Sequence, residues 1–294
     1  MARSIWMNGT LVDPNDAKVS VFDHGLLYGD GCFEGIRVYG GHVFKLQAHV
    51  ERMQASARRI HLEPPYSDSE LAAAIEETVQ ANRIEDGYVR VVYTRGKGSL
   101  GLSPFSCTEP ACIIIADTIT LYPEEMYTQG MPVVIAQRPR IPIECLDPQI
   151  KSLNYLNNIL AKVEAIDAGV HEAIMLNTQG KVAECTGDNI FLVKGGEIIT
   201  PDTAAGMLHG ITRQFVMEEV APACGYTVTE REVERDELFT ADEIFLTGTA
   251  AEVIGVSSID GTPIGSGVVG PITRQLTEQF RGMVTSLSAS PVEQ

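Results

Sequence analysis

The spacing of apolar and polar residues predicts a mixed α/β arrangement for the first half of the chain. Apolar residues three and four positions apart indicate two helices, and alternating or continuous apolar runs indicate strands. Ser67 and Glu70 stand at the positions of a capping box in front of the second helix. The predicted elements are a hairpin within 4–22, helices over 46–61 and 69–82, and strands over 88–95 and 111–117.

The segment from Phe22 to Arg37 carries four glycines among aromatic and charged residues. We expect a constrained loop here, which is a common setting for binding groups. The glycine spacing matches neither the Walker pattern nor the dinucleotide-binding pattern, so it does not indicate a nucleotide-phosphate loop. His24, within this segment, could be a ligand, although a lone histidine is more often a hydrogen-bonded structural residue.

Short strands, turns and three helices are predicted for the second half of the chain. The strands are expected over 133–137, 172–177, 181–184, 189–194 and 243–247, and the helices from 151, from 210 and over 271–286, before a short polar tail. An apolar stripe with helical spacing is expected to pack inward and to hold Lys151 at the buried start of its helix; it comprises Leu153, Leu156, Ile159, Leu160 and Val163. Residues 120–131, with a proline and a glycine, predict a linker between a domain over 1–119 and a larger one over 132–294.

Composition narrows the classes of function. The 294 residues are 44% hydrophobic and 21% charged, as expected of a globular protein with a sizeable core. A formal net charge of −17 argues against nucleic acid or an anionic membrane as a partner. No signal-peptide core or membrane-spanning apolar stretch is evident, so we expect a cytoplasmic protein. The six cysteines lack paired short spacings, which indicates neither a metal site nor a disulfide framework.

Lys151 is the first candidate for chemistry, because it lies between a proline-rich run and a predicted helix. Desolvation of an amine at a buried helix start favours its neutral, nucleophilic form. An ordinary surface lysine at a helix entrance is the alternative interpretation of this stretch alone.

Arginines become candidates if the substrate is an anion, since the chain as a whole is acidic. Tyr88 and Arg90 fall on one face of a predicted strand and could donate to a carboxylate, although a polar pair at a sheet surface explains them equally well. Arg52 lies off the apolar stripe of its helix and is expected in solvent. Gly210 to Arg213 opens a predicted helix whose first N–H groups could bind phosphate.

Five segments in this order resemble those of the class IV aminotransferases, the pyridoxal-phosphate enzymes of fold type IV, and most closely the branched-chain amino-acid aminotransferases. They are residues 28–37, 151–158, 184–191, 210–213 and 248–252. The match runs over nearly the whole chain, from Met7 to the C-terminal helix. It implies an α/β (α+β) protein with a small N-terminal α/β sandwich and a larger C-terminal pseudo-barrel domain.

The resemblance implies pyridoxal 5′-phosphate as the cofactor and assigns residues to it. Lys151 would be the Schiff-base lysine and the proton shuttle. Glu184 would lie against the pyridine nitrogen, where a carboxylate keeps the ring protonated. Arg52 would then be a phosphate anchor rather than a solvated side chain. The remaining implied contacts are those of Ile211, Thr212 and Thr249 with the phosphate, Tyr155 with the phenolic oxygen and Leu208 with the ring.

The resemblance also implies a substrate class. Arg90 would bind the distal carboxylate of glutamate and Tyr88 would help to bind the α-carboxylate, beside an apolar pocket for valine, leucine or isoleucine. The implied substrate-binding residues are Tyr28, Phe33, Arg37, Tyr88, Arg90, Leu100, Leu102, Thr249 and Ala250. In the family, Tyr28 and the loop around 97–104 reach the neighbouring subunit's site, which implies at least a homodimer.

The implied reaction is amino-group transfer between L-branched-chain amino acids and 2-oxoglutarate, giving branched-chain 2-oxo acids and L-glutamate. Two enzymes of the same fold are alternatives, a D-amino-acid aminotransferase and aminodeoxychorismate lyase. The D-specific enzymes place an arginine and a histidine where this chain has Leu100 and Leu102, and the tyrosine–x–arginine strand fits the lyase less well. A scaffold without catalytic activity is a third alternative, opposed by the presence of both Lys151 and Glu184.

Overall fold

The structure is a computed structural model of the chain, and it describes residues 3–119 and 122–289. The first two residues of the expected linker, 120 and 121, and residues 290–294 of the expected tail lie outside the described residues. The described residues divide into two compact units. Unit 1 comprises 3–119, 150–154 and 285–289, and unit 2 comprises 122–149 and 155–284. The domain boundaries expected from the sequence stay a prediction.

Unit 1 contains a sheet and two main helices. Its elements are β1 (Ile5–Met7), β2 (Thr10–Val12), α1 (His24–Tyr28), β3 (Gly31–Tyr39), β4 (His42–Val43), α2 (Leu46–Arg59), α3 (Asp68–Ala81), β5 (Gly87–Thr94) and β6 (Ala111–Asp117), with a 3₁₀ turn at Pro104–Ser106. The predicted hairpin, both predicted helices and both predicted strands are present. Ser67 and Glu70 form the expected capping box at the start of α3.

The sheet of unit 1 is antiparallel and has the strand order β2-β1-β6-β5-β3-β4. Strand β3 lies inside this sheet, although the sequence predicted a loop over 22–37. That prediction was wrong for residues 31–37, because β3 pairs with β5 along its length and every residue from 31 to 38 is buried. Pairing and burial outweigh the turn preference of the glycines here.

The two faces of β3 have different surroundings because successive side chains point to opposite sides of a sheet. Cys32, Ile36 and Val38 belong to the core of unit 1, where they join buried apolar residues of α2 and α3. Phe33 and Gly35 point the other way. Strand β3 therefore carries core residues on one face and candidate site residues on the other.

Unit 2 contains a larger sheet and most of the remaining helices. Its elements are α4 (Glu124–Gln129), β7 (Met131–Ile135), α5 (Leu156–Asp167), β8 (Glu172–Leu176), β9 (Val182–Cys185), β10 (Asn189–Lys194), β11 (Glu197–Thr200), α6 (Ile211–Phe215), α7 (Ala221–Ala223), β12 (Val228–Glu230), β13 (Glu243–Gly248), β14 (Glu252–Ile259), β15 (Thr262–Pro263) and α8 (Pro271–Ala289), whose last residues belong to unit 1. A π-helical turn at Val216–Val220 joins α6 to α7, and 3₁₀ turns cover Thr203–Ala205 and Arg235–Thr240. Across the described ranges, no helix is both long and apolar enough to cross a membrane.

The sheet of unit 2 has the strand order β12-β11-β10-β13-β14-β7-β8-β9, with β15 beside β14. The sequence predicted β7 to β10, β13 and the C-terminal helix, but not the long strand β14. Part of the expected linker belongs to this unit as well, because residues 124–129 form α4 and Tyr127 is buried in the core of the sheet.

Helix α5 differs most from its prediction. It begins at Leu156 rather than near Lys151, and its buried residues are Asn158, Ala161 and Ala165. The apolar stripe expected inside is instead exposed along the helix at Leu156, Ile159, Leu160 and Val163, and Ile166 continues it. The periodicity was correct, but the small residues pack on the sheet and the large aliphatic residues face outward.

Candidate active site

Lys151 lies on a short extended segment of unit 1 that runs beside β3. The Phe33 N–H donates to the Lys151 carbonyl at 2.9 Å, and the Leu153 N–H donates to the Gly31 carbonyl at 2.9 Å. The Lys151 N–H donates to Ser56 Oγ on α2 at 3.2 Å. These bonds fix the backbone on both sides of the lysine, whose Nζ lies 5.0 Å from the centre of the Phe33 ring.

Phe33, Tyr88 and Arg90 stand together on the β3–β5 face that carries Lys151. The Arg90 guanidinium carbon lies 4.4 Å from the centre of the Phe33 ring and 5.5 Å from that of Tyr88. Tyr88 lies across Gly35, where a Cβ would fall 2.0 Å from the tyrosine hydroxyl oxygen. As predicted, Tyr88 and Arg90 share one face. An amine, a phenol and a guanidinium are thus arranged around one aromatic ring.

Arg37 lies on the same face of β3 but is buried within the sheet. It donates to the Gly87 carbonyl at 3.2 Å, and its guanidinium carbon lies 4.5 Å from the centre of the Tyr39 ring. These contacts give Arg37 a structural role in unit 1, and its assignment to the substrate stays a prediction.

Arg52 is not in solvent, in contrast to the expectation from its helix position. Its Nε donates to Glu34 Oε1 at 2.7 Å and its Nη2 to Glu34 Oε2 at 2.9 Å. His49 donates from Nδ1 to the same Oε2 at 2.7 Å. Glu34 reaches this cluster because it points from β3 toward α2, opposite to Phe33. Sequence reasoning missed Glu34 and His49, since an ion pair between a strand and a helix leaves no trace in local spacing.

The charge of this cluster follows from its burial and its partners. Burial alone would raise the pKa of the Glu34 carboxyl, but the Arg52 charge and the hydrogen bonds from His49 and Arg52 hold that pKa well below its usual value. Burial lowers the pKa of His49 despite the neighbouring carboxylate, so its ring is neutral. Glu34 therefore fixes the Arg52 guanidinium through two parallel hydrogen bonds, the geometry that gives such pairs their specificity.

Glu184, in unit 2, is held by an arginine as Glu34 is in unit 1. Its Oε1 accepts from Arg140 Nε at 2.6 Å, and its Oε2 accepts from the Leu208 N–H at 3.0 Å. Both Glu184 and Arg140 are buried, and Asn157 Oδ1 accepts from Arg140 Nη1 at 3.4 Å. The structure thus brings the predicted residues Glu184 and Leu208 together. It adds Arg140, which the sequence gave no reason to select.

The segment from Leu208 to Thr212 is held by Asn189. The Asn189 side chain donates to the Leu208 carbonyl at 2.8 Å, and a Cβ at Gly210 would fall 2.1 Å from Asn189 Oδ1. Helix α6 begins directly afterwards with Ile211 and Thr212, both buried. The first N–H groups of a helix have no acceptor inside that helix, so these two residues can offer donors to an anion.

Thr249 and Ala250 lie in the three-residue loop of the β13–β14 hairpin. Gly248 pairs with Glu252 at its base, and Glu252 adopts a left-handed conformation with φ of 58°. A left-handed conformation is uncommon for a residue other than glycine. Arg281 Nε lies 3.7 Å from Glu252 Oε2 and offsets the charge of this buried carboxylate.

The remaining predicted residues lie at element ends and in loops. Tyr155 is the residue before α5, and Tyr28 ends α1, where its ring contacts His24 edge-on. His24 is buried and bonded to the Ser99 carbonyl at 2.8 Å, in agreement with the structural role expected for it. Leu100 and Leu102 are 74% and 82% exposed.

Residues 31–259 match the family model for amino-transferase class IV. The chain belongs to the class IV aminotransferases. It is 46% identical over 281 residues to the "Putative branched-chain-amino-acid aminotransferase" of Methanocaldococcus jannaschii, covering 96% of each chain. The family predicted from the five segments is confirmed.

Solved structures of this family share the fold. The crystal structure of the Escherichia coli branched-chain amino acid aminotransferase matches with a TM-score of 0.94 at 33% identity, over 100% of this chain and 98% of that one. The branched-chain aminotransferase from the thermophilic archaeon Thermoproteus uzoniensis, solved with norvaline, matches with a TM-score of 0.89 at 38% identity, over 97% and 95%. A further branched-chain amino acid aminotransferase, complexed with N-(5′-phosphopyridoxyl)-L-glutamate, matches with a TM-score of 0.92 at 38% identity, also over 97% and 95%. The predicted α/β, fold type IV architecture is confirmed.

Proposed function

We propose that this enzyme uses pyridoxal 5′-phosphate to transfer amino groups between L-branched-chain amino acids and 2-oxoglutarate. The names of its relatives support this reaction. The single observation that carries it is the grouping in unit 1 of the Lys151 amine with the Phe33 ring and the Arg90 guanidinium. An aromatic wall suits an aliphatic side chain, and a guanidinium suits the second carboxylate of glutamate.

The donor set of the chain fits the cofactor. When bound, pyridoxal phosphate supplies an electron sink for the carbanion formed at the amino-acid α-carbon. In our assignment Lys151 would hold the cofactor covalently and move the α-proton, and Glu184 would lie against the ring nitrogen. The hydrogen bond from Arg140 keeps Glu184 oriented for that task and balances its charge.

We assign the phosphate to the Arg52 guanidinium, the N–H groups of Ile211 and Thr212, and Thr249. The Glu34 clamp supports Arg52 in this role, because it orients the guanidinium through Nε and Nη2. Leu208 and Tyr155 are assigned to the ring and its phenolic oxygen. Tyr28, Leu100, Leu102 and Ala250 complete the proposed substrate-binding set.

A panel of amino donors tests the proposed reaction. We expect L-leucine, L-isoleucine and L-valine to yield L-glutamate from 2-oxoglutarate, because aliphatic side chains that differ by one methylene are discriminated by only about 1–3 kcal/mol. D-alanine should give no product. Turnover of D-alanine without turnover of L-leucine would reject the proposal, and release of 4-aminobenzoate from aminodeoxychorismate without an amino acceptor would establish the lyase instead.

Arg90→Ala is expected to impair the reaction with 2-oxoglutarate much more than the reaction with L-leucine. Loss of a hydrogen bond to a charged group costs about 1.5–3 kcal/mol, so kcat/KM for 2-oxoglutarate should fall roughly 10- to 150-fold. The half-reaction with L-leucine should change little, because leucine has no distal carboxylate. Single-turnover absorbance measurements with each substrate separate the two effects. Arg58→Ala, on the exposed side of α2, is the control, and equal losses for leucine and 2-oxoglutarate would refute the assignment of Arg90.

We further propose that the enzyme is at least a homodimer. Two observations support this: the aliphatic stripe on α5 is exposed in the single chain, and so are Leu100, Leu102 and Phe105 in the loop of unit 1. Extended exposed apolar patches mark interaction surfaces in soluble proteins. A second copy of the chain is the expected occupant, since the family resemblance implies that Tyr28 and this loop reach a neighbouring subunit.

Sedimentation velocity tests the homodimer. The wild-type protein should sediment as a dimer or a larger oligomer at micromolar concentration. Ile159→Lys places a charge in the α5 stripe and should shift the distribution toward monomer, whereas Asp167→Lys, at an exposed polar position of the same helix, should not. A monomeric wild-type protein would end this proposal.

The cytoplasm is the location that we propose. The chain contains six cysteines, all of them free in the described residues, and free thiols suit a reducing compartment. Fractionation of the source cells would measure the distribution of the enzyme, and enrichment outside the cytoplasm would contradict the proposal.

A further inference from the structure

A pair of buried carboxyl groups in unit 2 has no part in the assignments above. Glu172 on β8 and Asp188, in the turn between β9 and β10, are 2% and 8% exposed. Glu172 Oε1 accepts from the Ala173 N–H at 2.8 Å and from the Thr186 N–H at 2.9 Å, and it also accepts from the Thr186 hydroxyl. Glu172 is thus surrounded by donors, as a carboxylate requires.

Asp188 lies beside Glu172, since a Cβ at its chain neighbour Gly187 would fall 4.0 Å from Glu172 Oε2. Burial is the largest cause that raises the pKa of Asp188, to about 8, and the nearby Glu172 raises it further. Asp188 is therefore mostly protonated at neutral pH.

The charged and titratable groups around the pair come from several elements. Lys162 on α5 places Nζ 3.5 Å from Glu172 Oε2 and also donates to the His171 carbonyl. The other groups are Glu184 and Cys185 on β9, Tyr122 ahead of α4, and His171, whose ring contacts Tyr122. Of these, Lys162 is the one cation that lowers the pKa of Asp188, so the surroundings favour the protonated acid.

The position of Asp188 joins two parts of the proposed cofactor site. Its backbone carbonyl accepts from the Cys185 N–H at 2.7 Å, which closes the turn that follows Glu184. Its side chain rests on Gly248, where a Cβ would fall 1.8 Å from Asp188 Oδ1. Gly248 directly precedes Thr249 and Ala250. Asp188 therefore contacts both the β9–β10 turn and the base of the 249–251 loop.

We propose that Asp188, beside Glu172, is a positioning residue that holds the Thr249–Ala250 loop against the turn carrying Glu184, so that both keep the geometry needed by the cofactor. The inference rests on the proposed function, because these residues matter together only if the phosphorylated cofactor binds them. Loss of the proton would place two carboxylates side by side, and their repulsion would be relieved by displacement of Gly248 and its loop.

Pyridoxamine 5′-phosphate is a suitable probe because its amine forms no covalent bond with Lys151. Its dissociation constant for the full-length enzyme can be measured by equilibrium dialysis across about pH 6–10, the range in which the pair gives up its proton. Wild-type affinity is expected to fall roughly tenfold between the two ends, a usual size for coupling between sites. Pyridoxamine 5′-phosphate also titrates in this range and causes part of the fall in affinity. The pH profile of the wild type is therefore compared with those of variants.

Two variants change the pair in different ways. Asp188→Asn keeps a donor toward Glu172 but cannot ionise. The part of the fall in affinity at high pH that comes from Asp188 should therefore disappear in this variant. Glu172→Gln removes the neighbouring charge, so ionised Asp188 is no longer repelled and that part of the loss should disappear in this variant too. Asp236→Asn, at an exposed position of the same unit, should reproduce the wild-type profile. If the pH profiles of Asp188→Asn and Glu172→Gln both coincide with that of the wild type, the inference is wrong. If one of the two proteins does not fold, the profile of the other decides.

Infrared spectroscopy provides a readout independent of cofactor and activity. The wild-type enzyme should show the C=O stretching band of a protonated carboxylic acid at neutral pH, and Asp188→Asn should lack it. A spectrum without that band in the wild type would show that Asp188 is ionised at neutral pH and would overturn the pH dependence expected of the loop. The two failures can be told apart. If the proposed function is wrong, the protein binds no pyridoxamine 5′-phosphate at any pH but still shows the infrared band.

Discussion

Lys151→Ala is expected to reduce transamination by at least about 10²- to 10⁴-fold, the usual contribution of a positioned proton-transfer group. The loss should exceed that range, because the same amine is assigned to hold the cofactor covalently. The backbone of the segment should stay in place, since its hydrogen bonds to Phe33, Gly31 and Ser56 use main-chain groups of residues 151 and 153. Steady-state rates and the visible absorbance of the purified protein measure both effects.

Lys194→Ala is the matched control, because Lys194 is exposed at the end of β10 and its Nζ bonds to Thr240 Oγ1. It should retain wild-type rates and colour. A Lys151→Ala protein that turns over L-leucine at the wild-type rate would support a scaffold or a different nucleophile. Circular dichroism of the variant excludes unfolding as the cause of lost activity.

Glu34→Ala is expected to have the largest effect on stability. Removing one partner of a buried ion pair costs about 3–5 kcal/mol, because the remaining charge stays buried without compensation. Here Arg52 and His49 would both lose their acceptor. The affinity for pyridoxal phosphate should fall as well, since the Arg52 guanidinium would no longer be oriented. Urea unfolding and cofactor titration measure the two effects.

The pH dependence of this loss has a definite sign. The folded-state pKa of Glu34 is depressed, so its contribution to stability is complete above the ordinary glutamate pKa of about 4.3 and is lost as the pH falls through the lower folded value. The difference between wild type and Glu34→Ala should therefore be constant above about pH 5 and shrink in acid. Glu76→Ala, on the exposed side of α3, should show neither the loss nor this dependence.

Elements with a regular apolar period were predictable from the sequence. Helices α2 and α3 and strand β5 have a buried side and a polar side, so their residue patterns carry the information directly. Strand β3 was missed because its glycines indicate turns, while the contacts that bury it come from β5. The outward face of α5 was assigned wrongly because periodicity identifies an apolar face without specifying which surface covers it.

The site residues divide in the same way. Lys151 was a candidate from its position before a predicted helix, although an ordinary surface lysine fitted that stretch as well. Its role, and Glu184 altogether, were recognised only through the order of five segments resembling a family. Glu34, Arg140 and Asp188 were not recognised at all. His49 lies 15 residues from Glu34 along the chain, and Glu184 lies 44 residues from Arg140. No local sequence pattern links a charged residue to so distant a partner.

Because residue 35 is glycine, the way in which this sequence can diverge is restricted. The Tyr88 ring occupies the volume that any larger residue would need, so a mutation at 35 alone is expected to displace the phenol. Shortening residue 88 first would lift that restriction. The two sites should consequently be inherited as a linked pair, with glycine retained in every lineage that retains the phenol.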